Sequence, residues 1–261
     1  MHIDIKQKPH LARLVMGNEI HRAVDELGTV IVYENFSERF LSFDSFFEQS
    51  CASITTPFLP VHEYTQAMLV ALIFGEPKHV TLLGLGGGTL ATCIHHYFTD
   101  VNIHAVELRQ IVIDAAFDYF YLPKSARLTV TCGDVQCFLK DAEAGSTDLI
   151  FSDLYNAYDM SPLQLQQTFI EQCYDLLSVD GWLVINFHHA PKIESPLVKQ
   201  TQAIFSIVYV CSISSGNWIL FCSKSVRLPK RTMLQDKCKK LEKMMNKPFT
   251  RFFNRLARFG V

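Results

Sequence analysis

The chain has 261 residues, 49% of them hydrophobic, with 24 Lys or Arg against 26 Asp or Glu, enough apolar material for one large domain or a large and a small one. Its eight cysteines are scattered and form no CxxC pair, which argues against a disulfide framework and reads as buried thiols in a reducing compartment. No leader-like segment opens the sequence and no apolar stretch approaches the roughly 20 residues of a membrane span, so a cytoplasmic protein with no membrane span is expected.

In chain order, "GTVIVYE" and "RFLSF" come first, rich in β-branched and aromatic residues; they predict a small N-terminal β-region over residues 1–56. A new regime begins at Pro57 and Pro60, where "VHEYTQAMLVALIF" places apolar residues at helical spacing and stops at Gly75 and Pro77. Strand and helix then alternate. The strands are "HVTLLGL", "NIHAVEL", "RLTVTCG", "TDLIFSD" and "GWLVINF", and the helix-like segments lie at 89–97, 110–121, 135–142, 162–177 and 196–205. Such alternation predicts a mainly parallel sheet covered on both faces. "SIVYVCSI" and "NWILFCS", joined by "SSG", predict a closing antiparallel hairpin. The fold class is therefore α/β: a Rossmann-like, seven-stranded, methyltransferase-type sheet over residues 57–226. Residues 227–261 form a basic helical tail, with eleven Lys or Arg against Asp236 and Glu242, so the preceding body carries 13 basic and 24 acidic side chains. Its stretches "MLQDKCKKLEKMM" and "FTRFFNRLARF" alternate apolar and basic residues. The tail is expected to dock its apolar stripe on the acidic body, within the chain or across a homodimer; nucleic acid or an anionic membrane surface is the alternative.

Ligands of doubly wound sheets sit at the carboxyl ends of the strands. Gly84, Gly86, Gly87 and Gly88 follow the first parallel strand, and their missing Cβ atoms admit a ligand to the backbone ahead of a helix N-terminus. Glu107 ends the second strand, where a carboxylate accepts from ribose hydroxyls. Asp134 follows the third, placed for an adenine amino group, for capping the next helix, or for both. Asp153 ends the fourth and is the candidate for the reacting end of the ligand, with Tyr155 or Tyr158 beside it. Glycines followed by an acid also mark nicotinamide cofactors, but "GLGGGT" puts Thr89 where the third glycine of that motif belongs. The Gly-Asp after strand three, Asp153 and the hairpin together favour a sulfonium nucleoside: S-adenosylmethionine or its decarboxylated form. The adjacent pairs His95 with His96 and His188 with His189 have no Cys or acid at ligand spacing, so no metal is expected. His62 and Glu63 either line the nucleoside pocket or supply helix-start polarity.

These residues resemble the spermidine synthase family, the polyamine aminopropyltransferases, which share the class I methyltransferase fold. "FFEQS", carrying Gln49, is similar to the family's N-terminal strand ending in Gln-Ser. "HEYTQAML", carrying Tyr64, resembles its Tyr-containing helix; "GLGGGTL", "VEL" and "CGD" resemble its glycine motif, ribose-binding acid and adenine-side acid; "SPLQLQQTFIEQCYDLLSVDGWLVINF" resembles its helix and fifth strand. The resemblance implies an aminopropyl transfer from decarboxylated S-adenosylmethionine to a small-molecule amine, with Gln49, Tyr64, Thr89 and the strand-end residues binding the donor, and a homodimer. Two departures stand out. Family members carry Asp directly after three glycines, to hold the donor's terminal ammonium, where this chain has Thr89; they carry a second acid and a proline after strand four, where this chain has Asn156 and Ala157. Losing two carboxylates removes charge complementary to an aminopropyl group and a polyamine. The competing expectations are an S-adenosylmethionine-dependent methyltransferase and a non-catalytic nucleoside-binding or assembly protein.

Overall fold

The computed structural model describes residues 17–43, 48–156, 159–188, 190–191 and 196–258. Its first four strands, β1 (Asn18–Asp25), β2 (Gly28–Glu34), β3 (Glu38–Phe43) and β4 (Glu48–Ser53), pair antiparallel in sequential order. The two strands legible in the sequence thus occupy the centre of a four-stranded sheet. Its side chains alternate between faces as the pleat requires: Val30, Val32, Leu41 and Phe43 meet one apolar cluster, Ile31, Tyr33 and Phe40 another. Helix α1 (Glu63–Met68) runs directly into a tighter helical turn, Leu69–Ile73, and Thr65 to Ile73 are all buried.

The second sheet is built from β5 (His79–Leu83), α2 (Thr89–Tyr97), β6 (Asn102–Glu107), α3 (Gln110–Tyr119), β7 (Leu128–Cys132), α4 (Val135–Asp141) and β8 (Thr147–Ser152). There follow a one-turn segment (Pro162–Leu165), α5 (Gln167–Leu176), β9 (Leu177–Phe187), α6 (Pro196–Ile204), β10 (Ile207–Ser212) and β11 (Trp218–Ser223). The chain then forms α7 (Arg231–Met245), α8 (Phe249–Asn254) and a two-residue strand, β12 (Ala257–Arg258). The sheet order is β12-β10-β11-β9-β8-β5-β6-β7. Neighbours from β9 through β7 pair parallel, while β11 pairs antiparallel with both β9 and β10. This is the expected methyltransferase-type sheet with its hairpin, extended at one edge by the tail. The chain leaves β5 toward β6 on one side and returns through β8 on the other, so a crevice opens at their carboxyl ends.

The tail packs within its own chain. Leu234, Cys238, Leu241 and Met245 follow helical spacing along α7 and are buried with Phe249, Phe252 and Phe253 of α8 in the cluster that contains Met68 to Phe74. Each such side chain removed from water contributes on the order of 1.5–3 kcal/mol. Lys239, Lys240 and Lys243 lie on the exposed face, and Arg251 and Lys237 pair with Glu63 and Glu76 of the body at 2.6 and 3.5 Å. Met244 points outward, 42% exposed; Phe259, Tyr158 and His189 lie outside the described residues. Six of the eight cysteines are buried thiols as expected, whereas Cys132 and Cys137, at the end of β7 and in α4, are exposed. Among the described residues no helix is long and apolar enough to cross a membrane.

Candidate active site

A cavity of about 950 Å³ opens at the carboxyl ends of β5, β6 and β8. Its walls come from β4, the start of α1, and the link between β10 and β11. The three strand ends are knitted together by backbone bonds: Gly84 N–H donates to Val106 O and Asp153 N–H to Leu83 O, both at 2.9 Å.

The glycine cluster divides into two pairs. Gly84 and Gly86 line the cavity with φ of +90° and +53°, a region that L side chains rarely enter. A Cβ on Gly84 would lie 2.5 Å from Asp153 O, and one on Gly86 2.6 Å from Ser50 Oγ. Gly87 and Gly88 are buried behind the loop, where a Cβ would meet Phe120 at 2.9 Å and Leu122 at 2.7 Å. Their smallness serves packing. Thr89, the first residue of α2, donates its hydroxyl to Cys51 O at 3.3 Å and is not among the residues lining the cavity. Gln49 does line it, from β4.

Glu107 is partly buried at the cavity floor. Its Oε2 accepts from the amides of Leu85 (3.1 Å) and Gly86 (3.5 Å), and its Oε1 from that of Arg109 (3.1 Å). Burial raises its carboxyl above the ordinary range, against the pull of these amides. Asp134 stands exposed on the rim and caps α4, Oδ1 accepting from Gln136 N–H at 2.6 Å and Cys137 N–H at 3.3 Å. Arg109, 8% exposed, bonds Asp25 twice, at 2.9 and 2.7 Å, and so pins the β1–β2 turn, with Leu27, against the cavity.

Asp153 is the centre of the polar network. Asn186 Nδ2 donates to its Oδ1 at 2.8 Å, Asn217 Nδ2 donates to Asn186 Oδ1 at 3.0 Å, and Ser215 Oγ bonds Asn217 Oδ1 at 2.9 Å. Removal from solvent raises the Asp153 carboxyl, opposed first by the Asn186 bond, then by the charge of His62 and the Tyr64 hydroxyl that donates to it. Tyr64 is itself held well above its ordinary value by burial and by Asp153, so it remains a donor. Tyr155 donates its hydroxyl to the carbonyl of Asn186 at 3.1 Å, bracing the same strand end. Asn156 Oδ1 accepts from Asp159 N–H at 2.9 Å and closes the loop that follows.

The structure thus brings Gln49, Tyr64, Gly84, Gly86, Glu107, Asp134, Asp153 and Tyr155 to one cavity, together with His62 and Glu63. Sequence reasoning passed over Ser50, Asn186 and Asn217. The signal for Asn186 was present: an amide one residue from the end of a strand otherwise apolar, "GWLVINF". Of the paired histidines, His95 contacts Arg127 at 3.1 Å and His96 stacks on Phe58 at 3.9 Å. Among the described residues no three His, Cys, Asp or Glu side chains gather at metal-binding geometry.

Sheet order, switch-point crevice and strand-end carboxylates define a class I methyltransferase-type fold. No family model matches the chain. Its similarity runs to the polyamine aminopropyltransferase of Chromobacterium violaceum, 27% identical over 242 residues covering 91% of this chain and 92% of that one. It extends to the eEF1A lysine and N-terminal methyltransferase of Xenopus laevis, 27% identical over 65% of this chain but only 26% of that longer protein. Among solved structures the fold is shared with a probable spermidine synthase from Corynebacterium glutamicum (TM-score 0.72, 16% identity, 85% of this chain and 86% of that one). It is shared also with a spermidine synthase in complex with the transition state analogue AdoDATO (TM-score 0.71, 19% identity, 93% and 85%) and with human methyltransferase-like protein 13 in complex with SAH (TM-score 0.63, 23% identity, 72% and 94%). The chain is thus similar to polyamine aminopropyltransferases over nearly its whole length and to methyltransferases over a shorter span; both kinds of similar protein are transferases.

Proposed function

We propose that the protein is a spermidine synthase-like transferase that binds an adenosyl-sulfonium donor, decarboxylated S-adenosylmethionine or S-adenosylmethionine, and transfers an aminopropyl group to a small-molecule amine. The observation that carries this reading is the charge of the cavity. Glu48, Glu63, Glu107, Asp134, Asp153 and Asp159 line it with Arg109, whose guanidinium is already paired with Asp25. Such an excess of carboxylates in a partly enclosed space suits a sulfonium and an ammonium.

The residues present fit the donor. Gly84 and Gly86 present their backbone to the cavity at positive φ, Glu107 has the strand-end position for ribose, and the exposed Asp134 that for adenine. Gln49 and Tyr64 line the donor side; Gly87, Gly88 and Thr89 shape the loop from behind. Bound there, the donor supplies an electrophilic methylene beside a positive sulfur and departs as a neutral thioether. The protein's part is positioning. Asp153, fixed by Asn186 and Tyr64, accepts a hydrogen bond from the attacking amine and orients its lone pair. Tyr155 keeps that strand end in place through Asn186.

Methyl transfer is the second reading, favoured by Thr89 and Asn156: intact S-adenosylmethionine carries its own carboxylate beside its ammonium and asks for less acid from the protein. A product assay decides. The protein is incubated with putrescine and decarboxylated S-adenosylmethionine, and in parallel with S-adenosylmethionine and candidate acceptors. Methylthioadenosine release is expected; S-adenosylhomocysteine instead establishes the methyltransferase, and neither product with the nucleoside still bound establishes a non-catalytic binding protein. The same reading includes a metal-free, cytoplasmic homodimer. Exposed Ile20, Val24 and Phe36 on the N-terminal sheet support the dimer, which gel filtration checks.

A further inference from the structure

His62 stands at the entry to α1 with extended backbone (φ −70°, ψ 139°), and its side chain makes no capping bond. The residue lines the cavity. Its Nε2 lies 2.8 Å from Glu48 Oε1 on β4, the two side chains being equally accessible at 27%, and its plane stacks on Tyr64 at 5.3 Å between centroids. Tyr64 in turn donates to Asp153, on whose carboxyl the charge of His62 also acts. The titratable groups around the ring are therefore Glu48 and, behind it, the Cys51 thiol that bonds Glu48, both from β4; Tyr64 from α1; and Asp153 from the end of β8. Neighbouring Glu63 is turned away, to Ser214 and to Arg251 of the tail. Among the described residues Nδ1 of His62 has no partner.

A carboxylate beside one nitrogen of a histidine that lines a cleft is the arrangement of a general base and its orienting acid. We propose that Glu48 and His62 form a proton-accepting dyad for the acceptor amine, with His62 a further catalytic residue; the inference rests on the amine-acceptor reading above. An alkylammonium cannot attack until it loses a proton. His62 Nδ1 takes that proton, and the imidazolium is paired with Glu48. The lone pair so released forms the new C–N bond as the C–S bond of the donor breaks, its electron pair leaving on sulfur. The product is a secondary ammonium and a neutral thioether, and the proton on His62 passes to solvent, one per turnover. Asp153, already accepting from Asn186 and Tyr64, orients the nitrogen.

The test is the pH dependence of kcat/KM for wild type, His62→Gln and Glu48→Gln, read as methylthioadenosine released from decarboxylated S-adenosylmethionine with putrescine and a panel of primary amines. At pH 7 the His62→Gln protein is expected to lose about a hundredfold or more and Glu48→Gln about tenfold. Both losses shrink toward pH 10, where the amine arrives unprotonated, and the Kd for methylthioadenosine stays within twofold of wild type. A loss that is the same at every pH, or no loss, overturns the dyad while leaving the transferase reading intact. A wild-type protein that transfers to no amine overturns that reading and the dyad with it.

Discussion

Replacing Asn186 by leucine tests whether the orientation of Asp153 is set from the hairpin link. Asn186 is 2% exposed and nearly the shape of leucine, so the change removes two hydrogen bonds with little loss of volume. The bond from its Nδ2 to Asp153 at 2.8 Å goes to a charged acceptor and is of the kind worth about 1.5–3 kcal/mol. If that bond serves the transition state, its loss lowers kcat/KM roughly ten- to a hundredfold, at about 1.4 kcal/mol per decade. The same bond pulls the Asp153 carboxyl down against the upward pressure of burial. Its loss therefore moves the carboxyl higher still, and the acid limb of the rate profile shifts to higher pH. Asn217, 7% exposed, loses the acceptor of its Nδ2, which adds an unpaired amide costing about 1–3 kcal/mol to stability. Methylthioadenosine release between pH 5 and 10, beside a urea titration, reads both effects. An unfolding free energy reduced as stated, with the acid limb unmoved and kcat/KM within twofold, would refute the positioning argument and leave the amide chain a structural feature only.

Asp153→Asn is expected to lower kcat by about two to four decades yet raise the melting temperature at pH 7. The raised folded-state carboxyl makes wild type relatively more stable as pH falls, so the advantage of the variant disappears below the ordinary carboxylate range; calorimetry at pH 7 and pH 4 checks the sign. Gly86→Ala places a Cβ 2.6 Å from Ser50 Oγ at φ +53°, with a backbone cost of about 1–2 kcal/mol. Weaker methylthioadenosine binding by titration calorimetry should accompany the lower stability. Phe252→Ala empties a position 1% exposed in the tail and is expected to cost about 3–5 kcal/mol, a fall of roughly 10 °C in melting temperature, with nucleoside affinity within twofold. An unchanged melting temperature there would show that the tail is a detachable arm.

What the sequence made legible follows from the range of each signal. Buried parallel strands are near-continuous apolar runs, so β5, β6, β8 and β9 stand out in "HVTLL", "NIHAVE", "TDLIFS" and "GWLVINF". Strand ends are equally local, which is why Glu107 and Asp153 could be placed at the carboxyl ends of β6 and β8 from position alone. β1, "NEIHRAVD", lacks the strong apolar alternation because it is an edge strand with a mostly exposed burial pattern. Nor does the glycine cluster reveal its own division. Gly87 and Gly88 are small because Phe120 and Leu122, more than thirty residues on, fill the space behind them, and pattern within the loop carries no trace of that contact. The same holds for Asn217, whose partner Asn186 is 31 residues away, and for β12, whose pairing with Tyr209 and Val210 is decided by tertiary packing.

The two missing family carboxylates take on a different meaning once the side chains are in place. Thr89 turns its hydroxyl to Cys51 O behind the glycine loop, and Asn156 closes its own loop on Asp159 N–H. Acid is nonetheless plentiful, from Glu48 on β4, Glu63 at the start of α1 and Asp159 beyond β8. Each of these has a different status. Glu48 is held by His62 at 2.8 Å, and Glu63 by Ser214 and then Arg251, which together hold its carboxyl below its ordinary value; Asp159 is exposed, with Oδ1 accepting from Met160 N–H at 2.7 Å. On the proposed reading, then, the carboxylates that face the amine come from two sources: Asp153 and Asp159 from the loop after β8, and Glu48 and Glu63 from β4 and the start of α1, of which Glu63 is bonded to the C-terminal tail. Since Arg251 of α8 reaches that carboxylate from the same helix that buries Phe249 and Phe252 against Met68 to Phe74, the tail and α1 form one packed unit, and on the proposed reading a change in the tail is felt at the amine through Glu63.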